Sequence, residues 1–279
     1  MVQDGVRQLA GPVAARFHVT STGPDDAPVL LLAHGFACDQ GMWRDVVPLL
    51  RQDHRVVMYD VMGAGRSDTS AYDPERYAGL DGYADDLLAI CEEQDLQDVT
   101  VVAHSVSTMV AVLAALRQPQ RFRQLFLLAT TPYLLDDPVD GYEGGFAPGD
   151  LAEISQALDT NYFAWAHAMA PVFMGNPDRP ELGEQLAEAF CRADPDISRQ
   201  LIRTMFATDY RPLLGEVRTP VVLLQSRQDA MVPESVGPYV HERFASSTLV
   251  ELEAVGHCPH VSAPVETARA VRRHLLAAG

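Results

Sequence analysis

Five short runs of β-forming residues constrain this chain more than any other feature: Val29–Ala33 (VLLLA), Arg55–Tyr59 (RVVMY), Val99–Ala103 (VTVVA), Leu125–Ala129 (LFLLA) and Val221–Gln225 (VVLLQ). Their apolar residues are continuous rather than alternating, the pattern of strands buried on both faces of a parallel sheet. Helical patterns lie between them. In LDGYADDLLAIC, the residues Leu80, Tyr83, Ala84, Leu87, Leu88 and Cys91 follow the spacing of one helix face, with acidic residues on the other. Strand–helix alternation of this kind predicts an α/β fold, doubly wound around a mostly parallel sheet.

The alternation stops between Pro132 and Asp209, where DLAEISQALDTNYFAWAHAMA and PELGEQLAEAFCRADPDISRQLIRTMFAT read as helices alone. Asp150, Thr160 and Pro180 sit where N-caps or first-turn residues belong, and Pro195 begins another helix. The sheet resumes at Val221, continues through Thr248–Val255, and gives way to a last helix over residues 264–278. Residues 132–209 are therefore expected to form a helical cap inserted into a core made of residues 1–131 and 210–279. With 279 residues, no repeats and no Gly/Ser linker, a single structural unit is expected.

Charge narrows the function. The chain has 21 basic and 38 acidic residues, a formal charge of -17, which is the wrong sign for nucleic acid or an anionic membrane. Neither a secretory leader nor an apolar run of membrane-spanning length is read in it, so a soluble, cytoplasmic protein is expected. Cys38, Cys91, Cys191 and Cys258 lack the spacing of a zinc site or a disulfide framework and read as structural thiols.

The segment VVAHSVSTMV places Ser105 between a buried strand and a helical run, the context of a nucleophile held on a sharp turn. The usual G-x-S-x-G is imperfect here, because Ala103 and Ser107 stand where the glycines would be; both are small. A serine that only caps the following helix is the simpler alternative. A serine hydroxyl becomes a nucleophile when an imidazole takes its proton and a carboxylate orients that imidazole. Asp229 lies just past the strand at Val221 and His257 just past the next, giving the chain order Ser…Asp…His of α/β-hydrolases. Asp136 or Asp137 as the acid and His260 as the base are competitors, although a "GH" directly after the last strand suits a short, sharply placed loop.

An oxyanion site needs two backbone N–H groups. In AHGFACD, Gly35 allows a tight turn that offers the N–H of Phe36 beside that of Val106, the residue after the serine. His104 either lines a pocket or fills space behind the turn. The aromatic residues Tyr162, Phe163, Trp165, Phe173, Phe190 and Phe206 read as apolar faces of cap helices, some of them facing a cleft. GAGRS (Gly63–Ser67) is better read as a turn than a phosphate loop, since neither GKS/T nor a complete G-x-G-x-x-G is present.

The segments HGFACDQGMW, YDVMGAGRSDTSAYDPERYAGLDGYADDL, HSVSTM, NYFAWA, NPDRPEL and GHCPHVSAP together resemble the RsbQ-type bacterial stress-response hydrolases, whose plant relatives are the strigolactone and karrikin receptors. The resemblance runs from about Ala14 to the C-terminus. It implies an α/β-hydrolase fold with a four-helix, V-shaped cap over a hydrophobic pocket. It also implies Ser105 as nucleophile, His257 as base, Asp229 as its orienter and Phe36 and Val106 as oxyanion donors, with Trp165, Phe173 and His104 as pocket walls. Neither a metal nor an organic cofactor is implied. Two roles follow: an enzyme that cleaves a small hydrophobic ester or lactone, or a sensor that binds or slowly hydrolyses an apolar signal and regulates a partner protein through its cap. A pure binding module, carbon–carbon hydrolysis and peroxidase-type chemistry are further uses of similar scaffolds.

Overall fold

The computed structural model describes residues 5–275. The described strands are β1 (Arg7–Gln8), β2 (Thr20–Thr22), β3 (Val29–Ala33), β4 (Arg55–Tyr59), β5 (Val99–His104), β6 (Phe122–Leu128), β7 (Val221–Arg227) and β8 (Ser247–Val255). They form one sheet in the order β1-β2-β4-β3-β5-β6-β7-β8. From β4 to β8 every pairing is parallel, whereas β1 and β2 join the edge antiparallel.

The register explains the unbroken apolar runs. Alternate side chains of a strand point to opposite faces. Leu31 and Ala33 of β3, Val101 and Ala103 of β5, and Leu125 and Leu127 of β6 feed one apolar layer. Leu30, Leu32, Val102, Phe126 and Leu128 feed the layer on the other side. Both layers are mostly apolar, and a polar residue such as Gln124 of β6 is accommodated where it finds a partner, its Nε2 donating to the His274 carbonyl at 2.9 Å. The edge strands β1 and β2 escaped sequence reading because they are short and polar, RQ and TST.

The helices are α1 (Pro12–Arg16), α2 (Val47–Leu50), α3 (Asp81–Glu93), α4 (Val106–Arg117), α5 (Asp150–Met174), α6 (Pro180–Arg192), α7 (Pro195–Ala207), α8 (Val236–Arg243), α9 (Pro259–Ser262) and α10 (Pro264–His274). The helix expected over 264–278 is described as far as His274, and its positions 276–278 lie outside the described residues. In α3 the apolar stripe is buried as expected, but one acidic residue departs from the outer face. Asp86 is 3% exposed, accepts from Tyr77 Oη at 2.8 Å and pairs with Arg76, and burial raises its pKa to about 6.

Helices α5 to α7 lie between β6 and β7. The ends of this segment meet where Tyr210 N–H donates to the Pro132 carbonyl at 2.9 Å, and Arg211 pairs with Asp137 at 2.9 Å beside that junction. Helix α5 bends at Asn161 (φ -160°, ψ 93°), so it is two helical pieces. The second piece starts at Asn161, whose Oδ1 accepts the Ala164 N–H at 3.0 Å; Thr160, expected at such a cap, instead turns its hydroxyl back to the Gln156 carbonyl at 2.7 Å. Pro180 and Pro195 open α6 and α7 as expected.

Asp194 caps α7, accepting from the N–H groups of Asp196 and Ile197 at 2.9 and 3.1 Å, while its own N–H donates to the Gly63 carbonyl at 2.8 Å. Asp194→Ala is expected to lower unfolding free energy by about 0.5–2 kcal/mol in urea denaturation. A change of a few tenths would mean that the helix end is held by packing alone.

Candidate active site

The continuous strand β5 ends at His104, and the chain turns sharply into α4 through Ser105, which has φ 54° and ψ -125°. A positive φ is costly for a residue with a Cβ, so the surroundings must enforce it. Ser105 N–H donates to the Leu128 carbonyl at the end of β6 (2.9 Å), and the Ser105 carbonyl accepts from Thr108 N–H (2.8 Å) and Thr108 Oγ1 (2.6 Å). Ala103 and Ser107, the small residues in the glycine positions, are buried. Ser107 adds a tie that glycine lacks, donating its hydroxyl to the His34 carbonyl in the loop after β3.

Three of the residues expected to act together meet at this turn. His257 Nε2 lies 2.8 Å from Ser105 Oγ, and His257 Nδ1 lies 2.8 Å from Asp229 Oδ2 and 3.1 Å from Oδ1. A carboxylate only accepts, so Nδ1 carries the proton and Nε2 presents its lone pair to the serine. Asp229 is held in turn by the N–H groups of Met231 (2.8 Å) and Val232 (3.2 Å), and its side chain is 2% exposed. His257 follows Gly256, whose φ is +87° and where a Cβ would fall 1.9 Å from the Met174 carbonyl. Only glycine lets the base loop pass so close to the end of α5.

The competitors are occupied elsewhere. Asp136 accepts from Gly145 N–H at 2.9 Å, and Asp137 is paired with Arg211. His260 is fully buried between the rings of Trp43 and His104, with centroids 4.4 Å from each. In GAGRS the Ser67 hydroxyl accepts the N–H groups of Gly63 and Ala64, closing the loop on itself as a turn.

Helix α4 begins at Val106, so its N–H belongs to the first turn and has no helical acceptor. Phe36 sits in the loop after β3, whose shape is set by His34. Val61 N–H donates to His34 Nε2 at 2.9 Å, which leaves the proton on Nδ1, 2.9 Å from the Gly35 carbonyl. The Phe36 ring enters an aromatic cluster with Trp165 (6.2 Å) and Phe190 (5.8 Å), and Phe173 packs edge-on against both of these.

A cavity of about 330 Å³ opens above Ser105 and His257, within the size range of small-molecule sites. Phe36, His104, Trp165 and Phe173 line it, as do Phe190 and Phe206; Tyr162 is instead buried within the helices, with its hydroxyl on the Phe190 carbonyl, and Phe163 is exposed. Sequence reading missed Met169, Met205 and Met231 as walls, because isolated methionines carry no local signal. Cys38 and Cys258 are also walls as well as core residues, and burial raises both thiol pKa values.

Residues 30–270 match the alpha/beta hydrolase family, to which this chain belongs. It is 39% identical over 248 residues to the strigolactone esterase D14 of Arabidopsis thaliana, covering 88% of this chain and 92% of that protein. To karrikin insensitive 2 receptor IA of Petunia hybrida it is 38% identical over 247 residues, 88% and 89% of the two chains. Among solved structures, a hydrolase from Oleispira antarctica shares the fold with a TM-score of 0.90 and 34% identity, covering 94% of this chain and 95% of that one.

The buried histidines make stability depend on pH. Burial, followed by the charge of His257, lowers the His260 pKa to about 3, and burial holds His104 well below the ordinary imidazole range. Unfolded histidines bind protons below about pH 6.5 whereas these remain neutral, so stability present above that pH is lost as pH falls. His260 alone contributes up to about 1.4 kcal/mol per pH unit in that window. His260→Phe, which keeps an aromatic ring against Trp43, is expected to flatten the acid limb of urea stability by that slope between about pH 6 and 4. Parallel acid limbs for the two proteins would show that His260 titrates normally.

Proposed function

We propose that this chain is a serine hydrolase that cleaves an ester or lactone bond of a small hydrophobic molecule through an acyl-enzyme. The observation that carries the reading is the unbroken line Asp229 Oδ2, His257, Ser105 Oγ, with 2.8 Å at each hydrogen bond, at the base of an apolar cavity. In this mechanism Ser105 Oγ attacks the carbonyl carbon as His257 Nε2 takes its proton, and Asp229 stabilises the imidazolium that forms. The N–H groups of Phe36 and Val106 receive the oxyanion. His257 then gives its proton to the leaving alcohol, and a water activated by the same imidazole frees Ser105. Residues 132–209 act as the cap that shields the reaction from bulk water, with Trp165, Phe173 and His104 against the substrate. Four unpaired thiols support a cytoplasmic setting.

A second reading keeps this chemistry and gives it a signalling purpose: an apolar ligand, bound or slowly hydrolysed, changes the cap surface and regulates a partner protein. The 39% identity to a strigolactone esterase and 38% to a karrikin receptor favour it, as does the resemblance to RsbQ-type regulators.

A rapid-mixing time course with a short-chain p-nitrophenyl ester separates the two. Sustained turnover at or above about 1–10 s⁻¹ is the enzyme's outcome, whereas a stoichiometric burst followed by near-arrest is the sensor's. Ser105→Ala is expected to remove the burst, lower hydrolysis on the order of 10⁴- to 10⁶-fold and abolish labelling by a serine-directed phosphonate. Full labelling of that variant would overturn the mechanism. Trp165→Ala is expected to shift preference toward bulkier acyl groups; an unchanged chain-length profile would confine Trp165 to a packing role.

A further inference from the structure

We infer that His104 is a positioning residue for the base, holding His257 at its working height over Ser105 by a hydrogen bond to the His257 backbone. The inference rests on the serine-hydrolase reading and goes beyond a role for His104 as a pocket wall.

His104 is the last residue of β5, the strand that delivers Ser105, and is 2% exposed. Its Nε2–H donates to the His257 carbonyl at 2.8 Å. On the other side of the same residue, His257 N–H donates to the Phe173 carbonyl near the end of α5, also at 2.8 Å. The two backbone groups that flank the His257 Cα are thus fixed from opposite directions, one by the central strand and one by the helical segment. With both ends held and Asp229 on Nδ1, the imidazole keeps one position and one orientation. Neither group that grips the backbone is itself part of the proton path.

The other edge of the His104 ring has a different contact. Nδ1 has no hydrogen-bond partner, and a Cβ placed on Gly35 would lie 2.5 Å from it. The loop that carries Phe36 therefore rests against the ring that holds His257, so one side chain sets the spacing of nucleophile, base and oxyanion loop. Burial, with the nearby imidazoles of His260 and His257, keeps His104 neutral. Its ring centroid is 5.0 Å from that of His257, and a neutral ring there adds no repulsion when His257 becomes an imidazolium.

The test compares His104→Gln, His104→Asn and His104→Phe with the unaltered protein, using pre-steady-state acylation by a series of p-nitrophenyl esters, with urea denaturation to verify folding. Glutamine carries an N–H donor to about the reach of Nε2, asparagine stops near Nδ1, and phenylalanine fills the space without a donor. The Asn and Phe variants are expected to acylate about 10²-fold more slowly with every ester while KM stays within about threefold, because a displacement of about 1 Å in a reacting group costs that much. Gln is expected to recover most of the rate. Acylation at the unaltered rate in His104→Phe, equal loss in Gln and Asn, or an effect confined to KM or acyl preference would each overturn the inference. Should the Phe variant not fold, the Gln and Asn pair still decides. Ser105→Ala is run beside them: if it hydrolyses normally the serine-hydrolase reading fails, whereas an inactive Ser105→Ala with an unimpaired His104→Phe removes the positioning role alone.

Discussion

The arrangement around Ser105 depends on one strained turn. A residue with a Cβ held at φ 54° stores on the order of 1–3 kcal/mol, and it stays there because β5 is buried between β3 and β6 within the sheet. Every residue of that strand is buried and paired with β6, and Thr100 to Ala103 are paired with β3 as well. The Leu128 carbonyl anchors the Ser105 amide, and Thr108 grips the carbonyl that follows. Three consequences flow from that single turn. The serine hydroxyl projects toward the cavity, the Val106 N–H is left at the head of α4, and His104 is placed under the loop that bears His257.

The second organising feature is the seam between the core and the helices inserted after β6. It is mostly apolar, built from the interlocked rings of Phe36, Trp165, Phe173 and Phe190, and it includes the loop that carries the proposed oxyanion donor. At one end α5 comes against the base loop, where Gly175 and Gly256 approach closely and Asn176 Nδ2 donates to the Val255 carbonyl at 3.0 Å. At another, Arg192 of α6 pairs with Asp39 at 2.6 Å, beyond Phe36 in the same loop. The inserted helices are thereby in direct contact with both the loop of His257 and the loop of Phe36. Charge adds a direction to the chemistry. Under the proposed mechanism, hydrolysis of a neutral ester would leave a carboxylate in an apolar cavity with Glu153 in its lining, inside a protein of formal charge -17, and both features would disfavour retaining that anion.

Much of the sheet was legible because parallel strands leave a strong trace. The runs at Val29, Arg55, Val99, Leu125 and Val221 correspond to β3 to β7, with ends shifted by at most a few residues. The edge strands β1 and β2 were not legible, since two or three polar residues become a strand only by pairing with β4 or with each other. Asp86 was assigned to the wet face of α3 because helical spacing cannot register a tyrosine hydroxyl and an arginine arriving from the preceding loop. The break in α5 fell one residue from its expected place, since Thr160 and Asn161 are both plausible caps and the choice is made by which side chain reaches a free N–H.

By itself the sequence determined the α/β alternation, the helical interruption, and the order in which Ser105, Asp229 and His257 follow their strands. These are properties of local pattern: burial writes itself into hydrophobic periodicity, and sharp turns into small residues. Tertiary structure alone decided which of two nearby histidines meets Ser105 and which carboxylate meets that histidine, because His260 is buried against Trp43 and Asp137 is drawn away by Arg211. It also decided that the wall of the cavity is shared among distant segments, and that His104 grips the His257 backbone across 153 positions of chain. No window of sequence contains such contacts, since they arise only when strand ends far apart in the chain are brought side by side in the sheet.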